Sequence, residues 1–255
     1  MSNDMAPHAD SRWASRFFTG KQVLVTGGTS GIGAAIAAGF AAAGASVTAT
    51  GATTTEVEAA QASGAAGVRY EKLDVRDRAA VEALVSSHAA MDVVVNCAGV
   101  IRRGDELDPD VFASVVDINL TGSMRVCSAA RPLLAASGAG TIINLASVLT
   151  FQGGGLVPGY SASKGGIGQM TKSLAIAYAG DGIRVNAIAP GWIQTALTSA
   201  LQSDPARSDA IVSRTAMKRW GKPEDLVGGV LFLASPAAAF ITGVILPIDG
   251  GYLIT

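Results

Sequence analysis

Short runs of apolar residues alternate along this chain with longer stretches in which Ala and Leu recur at helical spacing. The candidate strands are KQVLVT (21–26), ASVTAT (45–50), VRYEKL (68–73), MDVVVN (91–96), TIINLAS (141–147), IRVNAIA (183–189) and VILPID (244–249). Several are apolar without interruption, as in strands covered on both faces. Between them lie helical patterns over 33–44, 77–89, 110–137 and 160–179. Strand–helix alternation of this kind predicts an α/β fold, a doubly wound seven-stranded parallel sheet with helices on both faces. With no linker and no internal repeat, residues 19–255 read as one domain, and the polar stretch 1–18 reads as a flexible tail. Two places break the rhythm. Residues 51–65 leave room for only a short helix. Residues 191–222 form a long insertion after the sixth strand, where substrate contacts tend to gather.

Composition narrows the function classes. Of 255 residues, 49% are hydrophobic and 15% charged, which suits a well-buried core. The net charge of −1 gives no electrostatic case for nucleic acid or an anionic membrane surface. So little charge also hints at surface covered by sister subunits. Cys97 and Cys127 are the only cysteines, and reduced thiols in a cytoplasmic protein are expected. His8 and His88 are the only histidines; no Cys/His cluster has ligand spacing, so no metal site is expected. No run of 18 apolar residues occurs, and the N-terminal stretch lacks the apolar segment of a secretory signal.

Two stretches carry candidate chemistry. VLVTGGTSGIGAAIA runs strand, glycine turn, helix, with Gly27, Gly31 and Gly33 in the turn. Glycines let backbone amides approach a pyrophosphate, and a helix N-terminus adds unpaired N–H groups and partial positive charge. A tight turn alone explains such a motif in many chains; here the strand–turn–helix context favours a dinucleotide. The second is YSASKGGIG (160–168), which puts Tyr160 and Lys164 on one helix face. A solvated surface pair would contribute only about 0.3 kcal/mol. An ammonium beside a phenol instead stabilises the phenolate: lowering a tyrosine by ~3 pKa units needs ~4 kcal/mol.

Taken together, these residues resemble the short-chain dehydrogenase/reductase family, a Rossmann-like fold, over nearly the whole chain. TGGTSGIG (26–33), which includes Thr29, Ser30 and Ile32, resembles its cofactor loop. Asp74, followed by Val75, resembles the acid that meets the adenine amino group. NCAG (96–99), with Asn96, Ala98 and Gly99, resembles the NNAG segment, Cys97 standing where asparagine is usual. APGWIQT (189–195), with Pro190, Ile193 and Thr195, resembles the segment that holds the nicotinamide carboxamide. Asn119, Ser147, Tyr160 and Lys164 match the catalytic four. The resemblance implies that Tyr160 exchanges the substrate proton and Ser147 holds the substrate oxygen. It also implies that Lys164 binds the nicotinamide ribose and that Asn119 holds a relay water. The stretch TATGATTT after the second strand has neither an acid for the ribose hydroxyls nor a base for a 2′-phosphate, and position 30 is Ser. NAD is expected, with NADP as the alternative through Thr53 or Thr54.

Further stretches, GVIRR (99–103), FQGG, ASK and RWG, resemble the sugar-acid branch of the family, the 2-dehydro-3-deoxy-D-gluconate 5-dehydrogenases and gluconate 5-dehydrogenases. A sugar acid needs a cation for its carboxylate and donors for its hydroxyls. Arg102, Arg103 and Gln152 are candidates, with Trp192 as a wall of the pocket or a subunit contact; solvated rim charges are the plain alternative for the arginines. Rival functions are a 3-oxoacyl-[acyl-carrier-protein] reductase using NADPH, a broad alcohol/ketone dehydrogenase, and a nucleotide-sensing protein without catalysis. The apolar C-terminus VILPIDGGYLIT and the small-residue helices 110–137 and 160–179 point, with the family, to a homotetramer.

Overall fold

The computed structural model describes residues 11–255. Residues 1–10, with His8, lie outside the described residues. The stretch expected as a tail through residue 18 is helical where it is described, as short turns at Ser11–Ala14 and Ser15–Phe18. Ala14 and Phe18, one helical turn apart, are both buried. Phe18 meets Phe40 edge-on with centroids 5.0 Å apart. The core thus takes in residues ahead of position 19, a correction to the expected boundary.

Seven strands follow the expected runs closely: β1 (Gln22–Thr26), β2 (Ser46–Gly51), β3 (Val68–Lys72), β4 (Val93–Asn96), β5 (Thr141–Leu145), β6 (Arg184–Pro190) and β7 (Ile245–Ile248). They form one sheet in the order β3-β2-β1-β4-β5-β6-β7, every pair parallel. The main helices are α1 (Gly31–Ala42), α2 (Thr54–Ser63), α3 (Arg78–Ser86), α4 (Pro109–Val116), α5 (Gly122–Ala136), α6 (Pro158–Tyr178), α7 (Pro205–Arg214) and α8 (Val227–Ala234). Strand alternation sorts the core into two layers. Val23 and Val25 of β1 and Val93 and Val95 of β4 face Ile36 and Phe40 of α1 and Leu231 of α8. Leu24 and Val94 face the opposite layer, with Val81 and Val85 of α3, Leu134 of α5 and Tyr178 of α6.

Two local features position the site. The chain leaves β1 toward β2 on one side, while β4 lies on the other, so a crevice opens beyond the carboxyl ends of β1 and β4. The helix expected over 110–137 is interrupted: α4 and α5 are joined by a π-turn at Asp117–Thr121, with Asn119 buried inside it. Such turns widen the helix by one residue and concentrate at functional sites. The 191–222 insertion folds into a short helix at Ser199–Gln202 and α7, held by its own small core of Leu201, Ile211 and Trp220.

Candidate active site

A cleft of about 400 Å³ occupies the crevice, within the range of small-molecule sites. The glycine turn Gly27–Gly33 forms one wall. Gly27 has φ +63°, and a Cβ there would lie 2.7 Å from the Ala98 backbone, so only glycine lets the β1 and β4 turns approach this closely. Ser30, the residue before α1, makes no side-chain capping bond. The first amides of α1 are therefore available to a bound anion, as a pyrophosphate requires. Thr29, Ser30, Gly31, Ile32, Gly33, Ala98, Gly99, Asp74, Val75 and Thr195 all line the cleft, as do Tyr160 and Lys164. These residues fit a dinucleotide.

Other expected cofactor residues lie elsewhere. Asn96 is buried beneath the cleft, where its Nδ2 donates to Asn144 Oδ1 at 2.9 Å and to Cys127 Sγ at 3.2 Å. Pro190 closes β6, and the Ile193 side chain is buried in the core. The Ile193 backbone is tied into the insertion, its carbonyl accepting from Thr198 Oγ1. A backbone-mediated role cannot be told from a packing role by residue type, which is why the sequence motif named them together.

Ser147, Tyr160 and Lys164 come together at the inner end. Ser147 follows β5, and its Oγ accepts from Leu149 N at 3.1 Å. Tyr160 stands in the first turn of α6, started by Pro158. Burial lifts the Tyr160 phenol above its ordinary value; a hydrogen bond with Ser147 works against this, and the charge of Glu106 adds to it. The Lys164 ammonium is buried and pulled down to about 8, mainly by desolvation. Its Nζ donates to Leu145 O at 2.6 Å and lies 5.4 Å from the Tyr160 ring centre. Burial of the phenol opposes the expected stabilisation of the phenolate by Lys164. The amine spends one of its three N–H groups on a β5 carbonyl. Asn119 is also tied down: Oδ1 accepts from Val100 N at 2.8 Å, and Nδ2 donates to Val100 O and Ser163 Oγ.

Asp74, which lines the cleft as expected of an adenine contact, also grips Arg76, which donates from Nε and Nη2 at 2.6–3.0 Å. Those bonds hold the carboxyl below its usual range. Of the expected substrate residues, Arg102 and Arg103 are exposed and Gln152 is half-buried. None of the three lines the cofactor cleft. Trp192 is a correction: it packs edge-on against Trp220 and Tyr252, 6.1 and 6.2 Å between centroids, and lines a separate cavity of about 230 Å³. Three aromatic faces bury more surface together than one would at a polar cleft.

Two acids were missed. Glu56 lines the cleft beside Gly51 and Ala52. Its Oε2 accepts from Thr53 N while Thr53 Oγ1 accepts from Glu56 N, a capping box on α2. The Thr-x-x-Glu spacing signalled it. Glu106, fully buried in a 3₁₀ turn at Asp105–Leu107, accepts from Tyr160 N. No local pattern signals a bond spanning 54 residues.

The family model described as "Enoyl-(Acyl carrier protein) reductase" matches residues 26–253. The chain belongs to the short-chain dehydrogenase/reductase family. It is an NAD(P)-dependent oxidoreductase acting on CH–OH groups. It is 41% identical to a 2-dehydro-3-deoxy-D-gluconate 5-dehydrogenase of Pseudoalteromonas atlantica, over 92% of this chain and 96% of that protein. The Bacillus subtilis enzyme of the same name is 39% identical over 92% and 95%. A gluconate 5-dehydrogenase from Burkholderia cenocepacia, solved in complex with NADP and tartrate, superposes with TM-score 0.87 at 33% identity, covering 95% of this chain and 99% of that one. Among the described residues, no helix is long and apolar enough to cross a membrane.

Proposed function

We propose that this member of the family oxidises a secondary hydroxyl of a sugar acid, of the gluconate or 2-dehydro-3-deoxygluconate type, and reduces the corresponding ketone. The observation that carries the reading is the grouping of Ser147, Tyr160 and Lys164 at the inner end of the dinucleotide cleft, with the exposed Arg102–Arg103 pair just past the β4 turn. The relatives' names support the substrate class. When bound, the nicotinamide ring supplies the hydride acceptor or donor and, oxidised, a positive charge. The chain's own residues do the rest. Ser147 Oγ holds the substrate oxygen. Tyr160, a phenol that is protonated near neutrality and that burial lifts further, gives its proton in reduction and takes it back in oxidation. Lys164 lends its charge to the same wall, and Asn119 anchors the Val100 loop beneath it. Arg102 or Arg103 offers the carboxylate a charge-assisted partner.

Within the cofactor cleft, Glu56 supports NAD over NADP. It is an anion at the carboxyl end of β2, where dinucleotide folds meet the adenosine ribose. A carboxylate accepts from ribose hydroxyls and repels a 2′-phosphate. The one cation lining the cleft near Asp74 is Arg76, already paired with it. Fluorescence titration should give NADH at least tenfold tighter binding than NADPH, and Glu56→Gln should narrow the gap; tighter NADPH binding would reverse the assignment.

The two free cysteines suit a reducing compartment such as the cytoplasm. Exposed Ile176, Phe240 and Ile254 suit burial between copies in a homotetramer, which sedimentation at micromolar concentration tests. The deciding assay for the substrate is a panel of sugar acids, 3-oxoacyl thioesters and simple ketones, each with both cofactors. Turnover of hexonates is expected; strong activity on thioesters with none on hexonates would overturn the reading.

A further inference from the structure

Glu106 is a carboxylate with 1% of its surface exposed, and no lysine or arginine pairs with it among the described residues. Both of its oxygens are used, each by a backbone amide. Oε1 accepts from Arg102 N at 2.7 Å, and Oε2 accepts from Tyr160 N at 2.7 Å. The second bond caps α6 from outside, since Val157 before the helix makes no side-chain cap of its own. A negative charge at a helix N-terminus is favourable. The first bond fixes the loop that carries Arg102 and Arg103. Gly159 fits against the carboxylate, where a Cβ would lie 3.3 Å from Oε2 and 3.2 Å from Phe112 Cα.

We infer that Glu106 is a positioning residue that locks the arginine loop to the first turn of the tyrosine helix, so that the substrate's carboxylate end and its reacting carbon are held at a fixed separation. The inference deepens the proposed function and rests on it. An amide bond on each oxygen makes the lock two-sided: loosening either bond lets the loop shift relative to Tyr160. Its charge has a second consequence. The charged and titratable groups around the Tyr160 phenol are Lys164 on its own helix, Glu106 from the 3₁₀ turn and, beside Lys164, the Cys97 thiol after β4. Of these, Glu106 opposes ionisation of the phenol.

Two variants separate reach from charge. Glu106→Asp keeps the charge but is one methylene too short to reach both amides. Glu106→Gln keeps the length but loses the charge and presents one oxygen. With D-gluconate as substrate, both should raise KM about tenfold or more while the dissociation constant for NADH, read by fluorescence, stays within twofold. The pH limb of kcat should stay in place in Glu106→Asp and move to lower pH in Glu106→Gln. Lower thermal stability with unchanged KM and an unmoved pH limb in both variants would leave Glu106 a mere helix cap and overturn the inference. So would a loss of NADH binding in step with activity. Tyr160→Phe run alongside keeps the two readings apart. If it turns over normally, the acid–base assignment falls. If it is inactive while the Glu106 variants match the wild type, only the positioning role falls.

Discussion

The two ends of the sheet treat buried polar groups in opposite ways. At the amino end, Arg184 opens β6 and spends both terminal nitrogens of its guanidinium. Its Nη1 and Nη2 donate to the carbonyls of Leu233, Ala234, Ser235 and Ile241 and to Thr141 Oγ1. Nearby, Asp92 accepts from Lys21 Nζ and Gln22 N. At the carboxyl end, valence is left over. Ser30 caps nothing, Lys164 has three N–H groups and one protein acceptor among the described residues, and the Tyr160 phenol rests on Ser147 alone. Saturated groups hold an arrangement in place; unsaturated ones are stable only because something else completes them. Both ends are built from the same strands, so the difference marks which end does chemistry.

The sharpest way to break that comparison is Tyr160→Phe. It removes one oxygen at the open end and nothing that the fold uses, because the Tyr160 bond to Glu106 is made by the backbone. We expect kcat to fall by about 10³-fold, within the usual range for general acid–base groups, with the melting temperature held. A melting shift comparable to that from a core substitution would mean that the phenol belongs to the fold. The converse is Arg184→Ala. It takes a donor from four carbonyls and a hydroxyl, of which Ile241 O keeps Asn186 Nδ2, and we expect a loss of about 3 kcal/mol in urea unfolding. Activity per folded molecule should stay within twofold. Lost activity at unchanged stability would erase the distinction between the ends.

The same contrast explains what the sequence disclosed. Period-2 and period-3.6 patterns are local, and so the seven strands were legible to within about two residues, and the helices at 33–44, 77–89 and 160–179 to within about three. The glycine turn was legible because Gly27 answers a backbone demand. Tyr160 and Lys164 were legible because their spacing puts them on one face. Three features were not. The π-turn around Asn119 leaves no periodic trace in DINLT, since an extra residue in a helix looks like any other residue. Trp192 sits in a segment that motif position assigns to the substrate side, yet Trp220 and Tyr252, distant in sequence, decide where its ring packs. Glu106 reads as one more surface acid in GDELD, and only the tertiary fold shows that Arg102 and Tyr160 bring it two amides. Local patterns found the scaffold and the reacting groups; what holds those groups at their distances was tertiary.

Lys164 sharpens the comparison further because it belongs to the open end yet is 3% exposed. Burial lowers it from 10.5 to about 8, so the unfolded chain holds this proton more tightly than the folded one. Below about pH 8 both states are protonated, and the cost of the buried ammonium is constant. Between about 8 and 10.5 the folded chain has released the proton and the unfolded chain has not, so this residue makes stability rise with pH. Lys164→Met removes that contribution. From pH 7.5 to 9.5, the wild type should gain about 2 kcal/mol over the variant, from roughly 1.4 kcal/mol per pKa unit. Urea unfolding of the two proteins at matched pH reads the difference directly, and other titrating groups cancel between them. Parallel curves would mean that the amine is solvated and that its single bond to Leu145 O is an ordinary surface contact. A steeper wild type would mean that the chain carries a destabilising charge at its carboxyl edge, which only an active site gives it reason to keep.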